Sequence, residues 1–493
     1  MAKTDETHEL IRIMSPNEKR FFRLSSGRTG KETNYLRVFA AMDGMSEFDQ
    51  EKLGRKLGGR KLNLSYEKGY LHKQLLRSLR HFYSDGNSAM ALQDILKSLE
   101  ILYRKRAGVQ CQKLIDKGLE ICRQFEQWNY HLELIDWQYR LYARTGNYQA
   151  LAKFEESGFR EKEALMRKIH LYSLRYGQMC FVMSVLQQKS DYMSAPERAR
   201  FEQLRLSCNE QTRDEQHGFR ITDLSYATQS LIHHYLGDLG QSYLWSAATQ
   251  QLYREHPRFM FDLPFKYFAA KCNIINRCIN LEKHAEALKQ IDELKKFVAG
   301  LEAFDRLEIT DEYQVSVISW QSHIYFKMRQ PAEALKAARA YEREVDPRRL
   351  RQNLRLFADS GLSRIYFTCG MYKESLKYVN KQIREGLKGL KLDYLLFAFL
   401  LRMCIHAEED DPVLLDSMRG ALERFMKKHQ VKDEFAHALT GFIRKYGATP
   451  GEKARQQLCA QQHGRLKKLV TAKTSQYEVI LEWMKAKAER SGK

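Results

Sequence analysis

The feature that most constrains this chain is a short segment that its sequence repeats. Residues 324–336 read IYFKMRQPAEALK, and residues 365–377, which begin 41 positions later, read IYFTCGMYKESLK, with six of the thirteen positions identical. The ending AEALK also occupies residues 285–289, 47 positions before its counterpart at 332–336. A related segment, LYARTGNYQALAK, occupies residues 141–153. Self-similarity with a period of about 20 to 50 residues is typical of stacked helical units, so we predict such an array.

Each copy predicts the end of one helix, a turn and the beginning of a second helix. In the last copy the apolar residues Ile365, Tyr366 and Phe367 end the first helix, and Gly370 lies in the turn. The second helix then places Ser375 where it faces the first helix. Because the serine side chain is small, the two helix backbones can approach closely.

These residues resemble the tetratricopeptide repeat, whose second helix typically begins with the pattern Gly-x-Tyr-x-x-Ala. Gly370-Met-Tyr-Lys-Glu-Ser375 fits this pattern, Gly146-Asn-Tyr148 fits its first part, and the other two copies lack the tyrosine. The resemblance is clear over residues 141–383 and weaker over 86–450, with spacings longer than the roughly 34 residues usual for the family. It implies a right-handed α-solenoid of antiparallel helix pairs that serves as an interaction scaffold without chemistry of its own.

Composition also favours an all-α fold. Only 8 prolines occur in 493 residues, and none lies between Pro16 and Pro196. Leucine, glutamate, lysine, arginine and alanine recur throughout, which is typical of helices. No stretch alternates strictly for long between apolar and polar residues, and no Asn-Gly or Asp-Gly turn is framed by β-branched residues. We therefore expect helices and no sheet.

The chain divides into three predicted parts. Residues 1–85 form a small N-terminal helical module of short helices, one of which opens with the capping box Ser15-Pro-Asn-Glu18. Residues 86–450 form the solenoid, and residues 451–493 form one basic amphipathic helix that caps the array, since terminal repeats need a polar outer face. The apolar face of this capping helix consists of Leu466, Leu469, Tyr477, Ile480, Leu481 and Met484.

Positive charge is concentrated at both ends of the chain. The net charge is +21, and residues 1–85 hold 17 Lys and Arg against 11 Asp and Glu, residues 451–493 hold 10 against 4, and the rest 55 against 46. Basic ends suit nucleic acid or an acidic partner, although they also serve solubility. The polar N-terminus is neither a signal nor a transit peptide, and the longest apolar run, Tyr394–Leu401, is eight residues long. We expect a cytoplasmic protein that does not enter a membrane.

Sequence patterns for catalysis and metal binding are not found. The nine cysteines include no Cys-x-x-Cys pair. The only histidine doublet is His233-His234, and neighbouring helical side chains point about 100° apart, which does not suit one metal ion. The segment 25–33, SSGRTGKET, lacks the first glycine and the final hydroxyl residue of a phosphate loop. We expect no enzyme activity, cofactor or metal, although an active site distributed along the chain stays open.

The N-terminal module also carries a hypothesis of nucleic-acid binding. Residues 49–57 and 65–83 predict two helices around a Gly-Gly turn, in the order of a helix-turn-helix. The second helix has a basic face opposite an apolar face made of Leu71, Leu75, Leu79 and Phe82. These basic residues could contact phosphates, or they could simply be solvated charges on the first helices. The candidate contacts are Arg55, Lys56, Arg60, Lys61, Lys73, Arg77 and Arg80.

Four arginines offer a second candidate surface, because they are predicted to open a helix between the two clearest copies: Arg348, Arg349, Arg351 and Arg355. Positive charge in the first helical turn opposes the helix dipole. The arginines could bind an acidic peptide, or they could pair with Glu342 and Glu344 just before them. We therefore expect a non-catalytic scaffold for a protein or an acidic peptide. The alternative is a nucleic-acid-binding regulator whose solenoid senses a peptide or protein.

Overall fold

Within the residues that it describes, the computed structural model consists of helices, turns and connecting segments and has no strand, as the sequence predicted. The chain divides into two compact units, Met1–Ile169 and His170–Lys493. The boundaries proposed from the sequence at residues 85 and 450 stay predictions. The described residues are 5–26, 33–57, 63–84, 86–188, 195–211, 217–347, 350–386, 392–408, 412–429, 431, 433–470 and 476–489.

The first unit begins with five short helices that share one core. Phe22, Phe39, Leu53 and Leu71 are among the buried residues of this core, and no residue beyond α5 belongs to its described part. The helices of the unit are α1 (Glu6–Ile13), α2 (Pro16–Ser26), α3 (Asn34–Asp43), α4 (Gln50–Lys56), α5 (Leu64–Phe82), α6 (Ser88–Arg104), α7 (Gly108–Phe125), α8 (Trp128–Thr145) and the first part of α9 (Tyr148–Gln188).

The predicted capping box opens α2. The backbone N–H of Glu18 donates to the hydroxyl of Ser15 at 3.3 Å, and the Glu18 carboxylate accepts from the backbone N–H of Ser15. Both groups are N-terminal donors that the helix itself leaves without partners. The sequence prediction is confirmed at this position.

The second unit continues with helices that contact their neighbours along the chain. For example, α14 packs on α12, α15 and α16, and α18 packs on α16, α17, α19 and α20. Its helices are α10 (Ala195–Gln211), α11 (Phe219–Leu236), α12 (Leu239–Glu255), α13 (Arg258–Asp262), α14 (Pro264–Asn280), α15 (His284–Gly300), α16 (Ala303–Lys327), α17 (Pro331–Glu344), α18 (Gln352–Thr368), α19 (Tyr372–Glu385), α20 (Leu392–Ala407), α21 (Pro412–Lys428), α22 (Glu434–Ala448), α23 (Glu452–Lys467) and α24 (Glu478–Glu489).

Turns of one geometry join many of these helices in the described part of the chain. Each has one residue with left-handed backbone, and the next N–H donates to a carbonyl five positions earlier over 2.8 to 3.1 Å. This is the Schellman end of a helix. The left-handed residues of these turns are Arg106, Glu126, Gly146, Gly237, Glu282, Arg329 and Gly370.

The last four of these turns repeat at 45, 47 and 41 residues, which confirms that the second unit contains an internal repeat. Five positions after each left-handed residue stands a small, buried residue, namely Ser242, Ala287, Ala334 and Ser375. The Ser375 hydroxyl donates to the carbonyl of Ser363 at 2.8 Å, and Ser242 donates to the carbonyl of Ser230 at 2.7 Å. The small residue therefore brings two helix backbones together, as predicted for Ser375.

The prediction of a single C-terminal capping helix is wrong. Residues 451–493 contain two helices, α23 and α24, and the residues between 470 and 476 lie outside the described part. Leu466 from α23 and Met484 from α24 are buried in the same core. On one continuous helix these two residues would stand about 27 Å apart along the axis, whereas two separate helices pack on each other and bring both side chains into this core. The central side chains of α24 are buried rather than exposed at an end of the array.

Candidate binding cleft at the repeated turns

The two clearest copies of the repeated segment line one side of a cavity of about 520 Å³. One wall is the turn between α16 and α17, a second is the turn between α18 and α19, and α24 is the third. Aromatic and apolar side chains form much of the surface, because the repeated Tyr-Phe pair ends both first helices. The main apolar lining residues are Tyr325, Phe326, Phe367, Tyr372, Val479 and Trp483.

Trp483 anchors α24 beside the cleft. Its ring centroid lies 6.5 Å from those of Phe367 and Phe442 and 6.1 Å from that of Tyr446. The indole N–H donates to a carboxylate oxygen of Glu408 at 2.5 Å. A tryptophan that buries its ring and satisfies its one donor contributes strongly to packing. The position of α24 therefore determines the shape of the cleft.

Lys327 joins two walls of the cleft. Its ammonium group lies 3.2 Å from Glu282 and 2.5 Å from Glu478 of α24. Burial lowers the pKa of Lys327, but the hydrogen bonds and negative charges of these two carboxylates outweigh burial and raise the pKa above its ordinary value. Lys327 is therefore positively charged, and its ammonium group already pairs with two carboxylates of the same chain.

Arg329 differs from Lys327 in being open to solvent. Its side chain is 76 % exposed and lies 3.8 Å from Glu482, which is itself 50 % exposed. An exposed ion pair at this distance contributes little to stability. The guanidinium group can therefore exchange Glu482 for a carboxylate of a ligand at the rim of the cleft at small cost.

Of the arginines predicted as a binding surface, the two that the structure describes, Arg351 and Arg355, do not line this cleft. Helix α18 begins only at Gln352, so Arg351 precedes the helix and Arg355 lies in its first turn. Leu350 is buried in the core shared with α16 to α19, and the non-helical segment before α18 carries it there. Arg348 and Arg349 lie outside the described residues.

Arg351 and Arg355 are already ion-paired, but not with the residues that the sequence suggested. Arg351 pairs with Glu312 of α16, and Arg355 lies 2.8 Å from Glu385 of α19. Glu342 instead accepts hydrogen bonds from the hydroxyls of Tyr366 and Tyr378. Glu344 pairs with Arg343. The expected pairing of the described arginines with Glu342 and Glu344 is wrong, because these arginines meet acidic residues of neighbouring helices.

The structure places three of the predicted nucleic-acid contacts on one face of α5. Lys73, Arg77 and Arg80 are exposed on α5, while Leu71 and Leu75 are buried on its opposite face. These basic and apolar side chains lie on opposite faces of the helix, and their contact with nucleic acid stays a prediction.

The prediction that Phe82 belongs to the buried face of α5 is wrong. Its ring is 37 % exposed and packs against Phe21 at 5.2 Å, near the end of α5. The helix end leaves one side of the ring uncovered. The apolar face therefore ends before the last residue of the helix.

Of the remaining predicted basic contacts, the two that the structure describes belong to another helix. Arg55 and Lys56 belong to α4, which packs on α3, and Arg55 lies 3.4 Å from Glu51 on its own helix. Arg60 and Lys61 lie outside the described residues. The helix-turn-helix interpretation stays a prediction.

Tyr325, Phe326 and Phe367 belong to the repeated segment, but the sequence analysis does not predict that they form a binding site. Their recurrence was the available signal, since the same side chains at the same turn predict the same kind of surface. Trp483 and Glu478 had no such signal, because they meet these turns across more than 100 residues of chain.

Within the described residues, no three His, Cys, Asp or Glu side chains stand together in a way that could hold a metal ion. The helices in that part of the chain are also too short or too polar to span a membrane. Comparisons with protein-family models, curated proteins and solved structures give no match in any of the three cases.

Proposed function

We propose that this protein is a non-catalytic interaction scaffold built from tetratricopeptide-like helix pairs, and that the cleft at the repeated turns binds a segment of a protein partner. The observation that carries the proposal is a cavity of about 520 Å³ with aromatic walls and one open cation, Arg329, at its rim. Binding sites for ligands are typically concave and apolar, with a few polar groups that orient the ligand.

The lining predicts the chemistry of the partner segment. An aromatic or aliphatic side chain can bury its apolar area against the half-buried Tyr325, Phe326 and Tyr372. A neighbouring carboxylate can pair with Arg329, because a guanidinium group binds carboxylates through two parallel hydrogen bonds. We therefore infer an acidic segment with one apolar anchor residue.

The contacts of α24 support this inference. Helix α24 lies against the same turns through Trp483, and its Glu478 and Glu482 approach Lys327 and Arg329. It thus combines an aromatic anchor with acidic residues within the chain itself. A partner segment of the same character can occupy the open part of the cleft beside α24.

The proposal is tested by selecting binders from a library of random short peptides on the immobilised full-length protein. We expect enrichment of peptides that combine an aromatic or large aliphatic residue with an acidic one. Arg329→Glu should weaken their affinity by about tenfold, which corresponds to about 1.4 kcal/mol, because it replaces attraction by repulsion. Dissociation constants measured by fluorescence anisotropy provide the comparison.

Arg343 on α17 gives a matched control. Its side chain is 77 % exposed and, like that of Arg329, pairs with an exposed glutamate, but it does not line the cleft. Arg343→Glu should leave the affinity unchanged. Equal losses in the two variants, or a selection without any common pattern, would show that the cleft is not the binding site.

A further inference from the structure

Helix α5 presents an exposed stripe in the first unit, and this stripe is independent of the cleft. We call it the α5 stripe: Tyr66, Tyr70, Lys73, Arg77 and Arg80, all of them exposed. At 3.6 residues per turn these five positions fall within about 80° of the helix circumference and extend over about 21 Å. They lie opposite the buried face of the helix, so the stripe faces solvent along the described helix.

Two aromatic rings form one end of the α5 stripe. Tyr66 is 66 % exposed and Tyr70 is 40 % exposed, and their rings stand nearly parallel, with 10° between the planes and 6.4 Å between the centroids. Tyr35 of α3 packs edge-on against Tyr70 at 5.2 Å and so supports its orientation. These rings line a cavity of about 430 Å³ together with Asn34 and Glu67, whose carboxylate accepts a hydrogen bond from the Asn34 side chain at 3.4 Å. Flat aromatic surfaces beside an open cavity can each accept another planar ring.

The other end of the α5 stripe carries three positive charges. Lys73 and Arg77 form no ion pair with a described residue, and the Arg80 guanidinium donates only to the carbonyl of Leu76 on its own helix, at 3.3 Å. The one acidic residue of α5, Glu67, lies about 60° around the helix from Tyr70 and borders the cavity beside the two tyrosines, away from the basic end of the stripe. No acidic residue of α5 therefore lies within the arc that holds Lys73, Arg77 and Arg80.

We propose that the α5 stripe binds single-stranded nucleic acid. Two bases stack on Tyr66 and Tyr70, and the phosphates follow Lys73, Arg77 and Arg80 along the helix. Binding proteins for single strands combine stacking aromatic rings with a basic track, and sites as short as about four nucleotides occur. A duplex suits this surface less, because its bases already stack on one another and do not offer free faces to the tyrosines.

The aromatic rings also separate this proposal from a docking site for an acidic protein. Carboxylates would engage Lys73 and Arg77 but would gain nothing from the parallel faces of Tyr66 and Tyr70. Stacking on an aromatic side chain is specific to planar partners such as bases. The tyrosines should therefore matter for a nucleic acid and should not matter for a polyanion without rings.

The test measures binding of the full-length protein to fluorescein-labelled oligo(dT) and oligo(U) of about 12 nucleotides by anisotropy. A duplex of the same length and polyglutamate serve as competitors. We expect one or both single strands to bind in preference to the duplex, and polyglutamate to compete weakly. The Tyr66→Ala, Tyr70→Ala double variant should weaken binding by about tenfold or more, because it removes both stacking surfaces.

A second variant tests the phosphate track. Replacing Lys73 and Arg77 by Gln should reduce the slope of log affinity against log salt by about 1.4, since each phosphate contact on a single strand accounts for about 0.7. Lys113 and Lys117 on α7 are also exposed and four residues apart, so their replacement by Gln is the matched control for charge. Tyr148→Ala, at an exposed tyrosine, is the control for the rings.

Three results would overturn the proposal. They are the absence of binding to both single strands, equal competition by the duplex or by polyglutamate, and equal losses in the control variants. A preference between oligo(dT) and oligo(U) would identify the strand as DNA or RNA, and either preference supports the site. Circular dichroism of each variant checks that α5 and the other helices remain folded.

Discussion

His323 on α16 illustrates how the fold changes the chemistry of a single residue. Burial lowers the pKa of His323 to about 3, and the positive charges of Arg364, Lys327 and His284 act in the same direction. The ordinary value for a histidine is 6.5. The folded protein therefore keeps this imidazole neutral at a pH at which the unfolded chain binds a proton.

This difference predicts a loss of stability in mild acid. Between about pH 6.5 and pH 3 the unfolded chain holds a proton at His323 that the folded chain does not, so the free energy of unfolding falls as the pH falls. From about pH 7.5 to 5.5 the contribution of this one group amounts to as much as about 1.4 kcal/mol. His323→Gln should remove that part of the pH dependence of the free energy of unfolding, which is measured by unfolding in guanidinium.

The control is His170→Gln, at an exposed histidine of α9. Between about pH 7.5 and 5.5 the free energy of unfolding of this variant should fall as much as that of the unaltered protein. If His323→Gln loses just as much, the folded protein does not oppose protonation at this position.

At the scale of elements, the recurrent feature is the turn that joins two helices. Three of the seven described turns place glycine at the left-handed position, but Arg106, Glu126, Glu282 and Arg329 occupy it in the other four. A residue with a side chain costs about 1 to 2 kcal/mol more than glycine in this conformation. The same turn is thus made by different residues, which is why the sequence alone revealed only some of the repeats.

The free-energy cost of a left-handed residue that carries a side chain predicts a stabilising substitution. Arg106→Gly should raise the free energy of unfolding by about 1 kcal/mol, because glycine adopts the left-handed conformation without strain. Arg106 has φ of 64° and is exposed, and it has no ion pair within the described residues. The midpoint of urea unfolding measures the change.

Lys97→Gly is the control, since Lys97 is an exposed residue within α6 and has ordinary helical backbone. Glycine within a helix is unfavourable by about 1 kcal/mol, and this variant should therefore lower stability. A decrease for Arg106→Gly as well would mean that the left-handed turn is not strained.

At the scale of the whole molecule, separate cores stabilise the N-terminal helices and the C-terminal helices. The core of α1 to α5 centres on residues such as Phe22 and Leu71. The core around α20, α22 and α24 includes Phe397, Phe442 and Trp483. The described members of these two cores do not overlap, so damage to one should remain local.

Trp483→Ala tests this independence. Loss of a buried tryptophan costs about 3 to 5 kcal/mol and leaves a cavity between α24 and its neighbours. Hydrogen exchange followed by mass spectrometry should show faster exchange in α18, α20, α22 and α24 and unchanged exchange in α1 to α5. Phe159→Ala, at a phenylalanine that is 73 % exposed, should leave both regions unchanged. Faster exchange throughout the chain would mean that the cores are coupled.

The sequence by itself determined the local features of this protein. It predicted helices without strands, the capping box at Ser15 and Glu18, the close approach at Ser375 and the exposed basic face of α5. Each of these depends on residues within a few helical turns of one another. Periodicity and capping are properties of such short stretches, so they can be recognised before the fold is known.

Only the tertiary structure decided which faces meet. It separated α23 from α24, paired Arg351 with Glu312 and brought Trp483 beside Phe367, 116 residues earlier in the chain. Tyr325, Phe326 and Phe367 of the repeat became walls of a cleft only because α24 packs beside them. An apolar stripe predicts that a helix face is buried, but many faces of similar size can cover it. The choice among them depends on how all the side chains pack together at close contact.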